Sequence, residues 1–452
     1  MTRPSPLRAV FTLALALAAA PTVACKRAPD ARTDPSAAPS ASAPSPGSSA
    51  RALALAPPVG MSKVDQQIAQ RQTMLQRAPN TTAEWIILGE LWVRKAREAA
   101  DPGFYLNAQA CADVALSIEP SNRLALDLRA MVLLNDHKFE EARKLSQSIL
   151  ADHPDDPTAL GNLSDALLEL GRFEEAATAV QTMIDLKPNL PSYSRASYIR
   201  WLQGDQAAAI LIVRQAMDSG RDSHDPEPLA WVTVQAAMLF WHVGDYPGAD
   251  AGFDRALALF KDYPPALVGK ARVALTRNDG KTAADLLTRA YAQSPLVETA
   301  WLLGDARTLA GDEAGAKQAY ADVEKHGKLG DGRTLAAYWT TKNVNAPAAL
   351  ALMDHERTIR GDLYTDDTYA WALYRNGRFP EAKTAIDHAL RLGTRDARLF
   401  YHSGAIRIAL GDKAAGEKIV RDALALNPQF EVTGAAEAGK LVGAPAGKSS
   451  AP

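Results

Sequence analysis

Four pairs of adjacent carboxylates are the residues best suited to chemistry: Asp155-Asp156, Asp366-Asp367, Glu140-Glu141 and Glu174-Glu175. Two acids held side by side can share a proton and divide the roles of general acid and base. The aspartate pairs precede stretches of helical periodicity, and the glutamate pairs fall in first turns, where negative charge meets the positive end of the backbone dipole. Helix ends are the simpler account of all four. The eight histidines are scattered, and His388 and His402 lie in different phrases with no ligand spacing around them. With only Cys25 and Cys111, no disulfide framework, CxxC pair or four-ligand zinc site can be drawn. Cys111 lies within an apolar helical stretch and reads as a buried thiol. The motifs GxxxxGK[ST], HExxH and GxSxG are absent. We expect no catalytic residue, no metal and no cofactor, hence no enzyme.

The elements that would position these residues are helical. Alanine and leucine are abundant and alternating β-branched runs are missing, which favours helix over strand. At 452 residues, 47% of them apolar, the chain is too long for one ordinary core and can bury a large interior. Fifty basic and 52 acidic residues leave a formal charge of −2, so nothing draws the whole molecule to nucleic acid or an anionic surface.

One phrase is repeated. Leu167 to Asn189 reads LLELGRFEEAATAVQTMIDLKPN, and Ala372 to Gly393 reads ALYRNGRFPEAKTAIDHALRLG. Pro120, Pro154 and Pro188 follow at intervals of 34 residues. Between Pro157 and Leu190, Leu160, Leu163 and Leu167 line a first helix, Gly171 makes the turn, Ala176, Val180 and Met183 line a second, and Pro188 ends it. This pattern resembles the tetratricopeptide repeat, and about ten loosely matching units run from Ala83 to Gln429. The first carries an insertion near Glu98 to Pro102, and the eighth, about Gly330 to Arg360, is degenerate. The resemblance implies an all-α, right-handed solenoid over residues 61–429, with a cap and tail over 430–452. One hairpin cannot bury its own apolar face, whereas stacked hairpins bury each other's and present a continuous concave groove.

In this family the groove is lined by the first helices. That places Trp231, Trp241, Trp301, Tyr364, Trp371, Tyr374 and Tyr401 on or near it, with Asp305 and Asp367 among them. Aromatic rings suit anchoring because they bury much area with few rotors to freeze. Packing between units is the alternative role for each ring. The clamp with which some members grip a C-terminal carboxylate is not evident: Asn162 fits its face, but the neighbouring unit offers Asp127 and Leu128. The implied function is a scaffold that binds another protein or an extended peptide and supports assembly of an envelope complex. The alternative is an accessory subunit that positions substrate for a separate envelope enzyme.

The first 24 residues have the basic start, the apolar run (Ala9 to Ala20) and the small-residue end (Thr22-Val23-Ala24) of a secretory signal. Thr22-Val23-Ala24-Cys25 resembles a bacterial lipobox, which implies lipidation of Cys25 and a membrane anchor; ordinary cleavage after Ala24 remains open. Residues 25–60, rich in Pro, Ala and Ser, read as a disordered tether. Lys26 is not the aspartate associated with inner-membrane retention. The expected location is therefore the outer membrane facing the periplasm, with a soluble periplasmic or secreted form as the alternative.

Overall fold

The computed structural model describes residues 46–223 and 225–443. The expected signal segment, Cys25, most of the expected tether and the end of the tail lie outside the described residues. Among the described residues the structure consists of α-helices and two 3-10 turns, with no strand. Two helices, α1 (Pro46–Ala54) and α2 (Lys63–Arg77), precede ten helical hairpins. The first five hairpins are α3 (Thr82–Ala99) with α4 (Tyr105–Ile118), α5 (Arg123–Asn135) with α6 (Phe139–Asp152), α7 (Pro157–Glu169) with α8 (Phe173–Leu186), α9 (Leu190–Leu202) with α10 (Gln206–Gly220), and α11 (Pro226–His242) with α12 (Tyr246–Leu259). The last five are α13 (Pro264–Thr276) with α14 (Gly280–Gln293), α15 (Val297–Leu309) with α16 (Glu313–Gly330), α17 (Gly332–Thr341) with α18 (Ala346–Glu356), α19 (Leu363–Arg375) with α20 (Phe379–Ala389), and α21 (Ala397–Ala409) with α22 (Lys413–Leu426). A single helix, α23 (Val432–Leu441), follows.

Local chemistry sets these boundaries. Pro120, Pro154 and Pro188 each lie just past the end of a second helix, where a residue without an N–H cannot continue the ladder. Asp156 caps α7 by accepting hydrogen bonds from the N–H groups of Thr158 and Ala159. The turn inside a hairpin passes through a left-handed residue, Gly171 at φ 74° and Gly204 at φ 75°; His137, Asn278 and Asn343 take that conformation in other units. Ala176 and Val180 are fully buried where α7 and α8 meet, so the small side chain brings the two helices together as the repeat requires.

Two readings are corrected. The tether does not reach residue 60, because Ala50, Ala54 and the adjacent Leu55 give its end an apolar side that packs on the core. α1 packs on the first hairpin, with Ala54 fully buried. Trp92 donates its indole N–H to the Ala54 carbonyl at 3.1 Å, and the Asn107 amide donates to the Leu53 carbonyl at 2.8 Å. Asp366 and Asp367 do not precede a helix; Asp362 caps α19, and both lie within its first turns.

The solenoid winds tightly enough for its second turn to rest on its first. The turns inside the first, third, fourth and fifth hairpins each meet the linker after a much later one. The Gly361 N–H donates to the Glu169 carbonyl at 2.8 Å, the Thr394 hydroxyl to the Leu202 carbonyl at 2.5 Å, and the Asn427 amide to the Trp241 carbonyl at 2.8 Å. Ser294 donates likewise to the Ala100 carbonyl, inside the insertion of the first unit. One apolar core runs through this seam, joining Leu168, Trp201 and Leu202 to Leu363, Leu373 and Leu399.

Candidate binding face

The first helices of the last three hairpins present their polar and aromatic residues to one another, and α23 lies across them. On α19, Trp371 stacks on Tyr374 with ring centres 4.4 Å apart, while His402 of α21 lies against the Trp371 ring at 4.0 Å. Tyr401 meets Trp371 edge-on at 5.3 Å, and the Arg375 guanidinium sits 4.7 Å from the Trp371 ring. Asp367 accepts from His402 at 2.7 Å and pairs with Arg398 at 3.3 Å. Burial pushes the Asp367 carboxyl up, but His402 and Arg398 outweigh it and hold the group below its ordinary value. Lys342, which follows α17, pairs with Asp305 of α15 at 2.6 Å.

α23 engages this face through polar anchors. Glu437 accepts from Arg375 and from the Tyr401 hydroxyl, each at 2.7 Å. Lys342 donates to the Thr433 hydroxyl at 2.9 Å, and Thr341 reaches Glu431 at 3.4 Å. Burial raises the Glu431 carboxyl against the opposing pull of Arg398, His402 and Lys342. Its apolar contribution is small: Ala435 and Ala438 pack beside Trp371, Tyr401 and Phe430. The ensemble can hold an acidic helix by charge-assisted hydrogen bonds around an aromatic floor.

Ten stacked hairpins of this length already define a repeat architecture, and the comparison with known families decides which. Tetratricopeptide repeat models match residues 133–197, 234–298 and 370–429. The chain carries tetratricopeptide repeats. Over 293 residues, 63% of its length, it is 24% identical to Cellulose synthase operon protein C of Pseudomonas fluorescens (strain SBW25). The match spans 20% of that relative's length. Among solved structures it is similar to a tetratricopeptide repeat protein from Parabacteroides merdae (18% identity, TM-score 0.38, 53% of this chain and 93% of that one). It is also similar to human IFIT1, solved as a dimer with PPP-AAAA (12% identity, TM-score 0.47, 84% and 94% covered).

The aromatic residues expected on the groove of this repeat protein do not form one open surface. Trp371, Tyr374 and Tyr401 come together as described. Tyr364 sits elsewhere, half-buried, its hydroxyl 3.4 Å from Asp396 and its ring beside Trp201. Trp301 packs edge-on against Tyr338 at 5.7 Å, and Trp241 lies under Arg272 at 5.5 Å. Trp231 is half-buried between two parts of the core. Trp241, Trp301, Trp371 and Tyr401 are 7%, 8%, 2% and 2% exposed, so each packs within the folded chain, the alternative role for these rings. The tight winding and α23 cover the surface that an open groove would offer.

The polar partners Lys342, Arg375, Arg398 and His402 went unread in the sequence, as did Glu437. Arg375 follows Trp371 by one helical turn, so the phase that marked the ring could have marked the charge. Nothing local marks Glu437, since its partners lie on other helices. Asn162 spends its amide on the Asp127 carbonyl at 3.2 Å, a packing contact. Cys111 is buried, and burial raises its thiol well above the ordinary range, so it presents no reactive thiolate.

Proposed function

We propose that this tetratricopeptide repeat protein is an exported scaffold, anchored through Cys25, that binds another protein or an extended peptide along the concave side of its solenoid and supports assembly of an envelope complex. The observation that carries the reading is the convergence of Lys342, just past α17, Arg375 of α19 and Tyr401 of α21 on a helical segment that they hold by side-chain hydrogen bonds. A face built from successive units in this way recognises polypeptide by shape and charge, and no bond need be made or broken. A soluble periplasmic or secreted protein without the lipid would use the same face.

The similarity to Cellulose synthase operon protein C supports a second reading, an accessory subunit that positions substrate for a separate envelope enzyme. Cross-linking in envelope fractions, with the linked residues mapped, tests the scaffold. Links concentrated on first helices and leading to one partner protein support it; links confined to second helices sink the concave-side reading. A partner that proves to be an enzyme favours the second reading. The anchor is tested separately: Cys25→Ser is expected to release the protein from the membrane pellet, and unchanged sedimentation would refute lipidation.

A further inference from the structure

We infer that α23 occupies the place of a partner's helix: the concave face of the last three units is a docking surface for an acidic helix with a small-residue side, and the chain covers it with a segment of its own. This rests on the scaffold reading and names the chemistry of its partner. A ten-residue helix is too short to persist alone in water, so α23 exists because the face holds it. The hold is slight in apolar terms. Gly434, Ala435 and Ala438 are its buried residues, while Val432 and Leu441 are 39% and 36% exposed.

Its grip comes instead from carboxylates, and the charges of the face explain why. Lys342, Arg375 and Arg398 stand against Asp305 and Asp367. Asp305 and Asp367 already pair with Lys342 and Arg398, whereas the one carboxylate that pairs with Arg375 among the described residues is Glu437, so an uncovered face offers Arg375 and the Tyr401 hydroxyl to an acidic side chain. The small residues between the two glutamates let the helix backbone approach the Trp371 and Tyr401 rings. The fit also leaves an opening for a better ligand. One Glu431 oxygen is buried without a hydrogen-bond partner among the described residues, and so is Nε2 of His402. A partner hydroxyl or amide placed to donate to Nε2 of His402 satisfies a group that α23 leaves unpaired, and so competes with it.

The test uses the full chain and a fluorescent peptide of residues 430–443, FEVTGAAEAGKLVG. In the Glu431→Ala/Glu437→Ala variant the chain's own helix loses its anchors, and the peptide is expected to bind about tenfold more tightly than to the wild type. Adding Arg375→Ala should abolish that binding, and a peptide with lysine at both glutamates should bind neither protein. Equal binding to wild type and to a variant whose circular dichroism shows it folded overturns the proposal; so does a concentration-dependent dimer formed through this face. Should the variant not fold, hydrogen exchange on the wild type decides. Amides of α23 are expected to exchange ahead of those in α21 and α22, and equal protection overturns the proposal. Either failure is distinguishable from failure of the scaffold reading, because cross-links to other first helices test that reading without α23.

Discussion

Glu169 shows what burying charge between the two turns does. Burial, reinforced by Asp362, pushes its carboxyl up to about 7 against the pull of Arg360 and Arg333, although Arg360 lies only 3.3 Å away. In the unfolded chain such a group titrates near 4.3, on the order of a free glutamate. Between those values the folded protein keeps a proton that the unfolded chain releases. The stability this group supplies is therefore complete below the unfolded value and is lost as pH rises through about 7. We expect Glu169→Gln to flatten the fall in urea midpoint between about pH 5 and 8; parallel slopes for variant and wild type would show that the carboxyl titrates normally. His402 offers a second case. Its removal leaves the Asp367 carboxylate buried with one partner fewer and strips a ring from Trp371. His402→Ala should cost about 3 kcal/mol. His388→Ala breaks a similar contact to Asp366, but that imidazole is 56% exposed, and the expected loss is below about 1 kcal/mol. Similar urea midpoints for the two variants would refute the distinction.

Among the elements, the hairpin turns separate what a repeat needs from what the winding adds. Gly171 and Gly411 sit at the same turn of different units, both with positive φ. A Cβ on Gly411 would meet nothing nearby, so Gly411→Ala should cost only the backbone penalty, about 1 kcal/mol. On Gly171 it would lie 2.3 Å from the Gly361 carbonyl oxygen, in the next turn of the solenoid. Gly171→Ala should cost at least about 2 kcal/mol more, and equal unfolding midpoints would mean that the two turns do not bear on each other. Gly171 also marks the limit of sequence reading. Its place in the hairpin was legible because the phrase LLELGRFEEA recurs in phase, and Pro120, Pro154 and Pro188 announced the ends of α4, α6 and α8 for the same reason. Its neighbour Gly361 was not legible, since no periodicity links residues so far apart. Burial of Trp371 and Tyr401 was hidden likewise: their helical phase assigns them to the concave side, while what covers that side is set by α23. The helix α1 was missed because a Pro/Ala/Ser composition masked the short apolar side at Ala50, Ala54 and Leu55.

For the molecule as a whole, contact between turns changes how stability spreads. A solenoid held only by nearest neighbours behaves as a one-dimensional array, in which a weakened unit opens alone. Here Arg360, after the eighth hairpin, pairs with Glu169 of the third and rests 5.1 Å from the Phe139 ring of the second. The linker at Gly361 hydrogen-bonds the third unit's backbone, and Leu363 and Leu373 share a core with Leu168. Units distant in sequence should therefore open together. Arg360→Ala leaves Glu169 buried beside Asp362 with less opposing charge, a change expected to cost about 3 kcal/mol. Hydrogen exchange should report that loss in two places: in α18 and α19, next to the substitution, and in α7, across the seam. In a purely linear array α7 would be untouched, because the units between it and Arg360 keep their own interfaces. Faster exchange in α7, with α13 and α14 unchanged, would show that the seam carries the coupling. Acceleration confined to α18 and α19 would show that the turns touch without sharing stability, and the fold would then unfold as a string of hairpins.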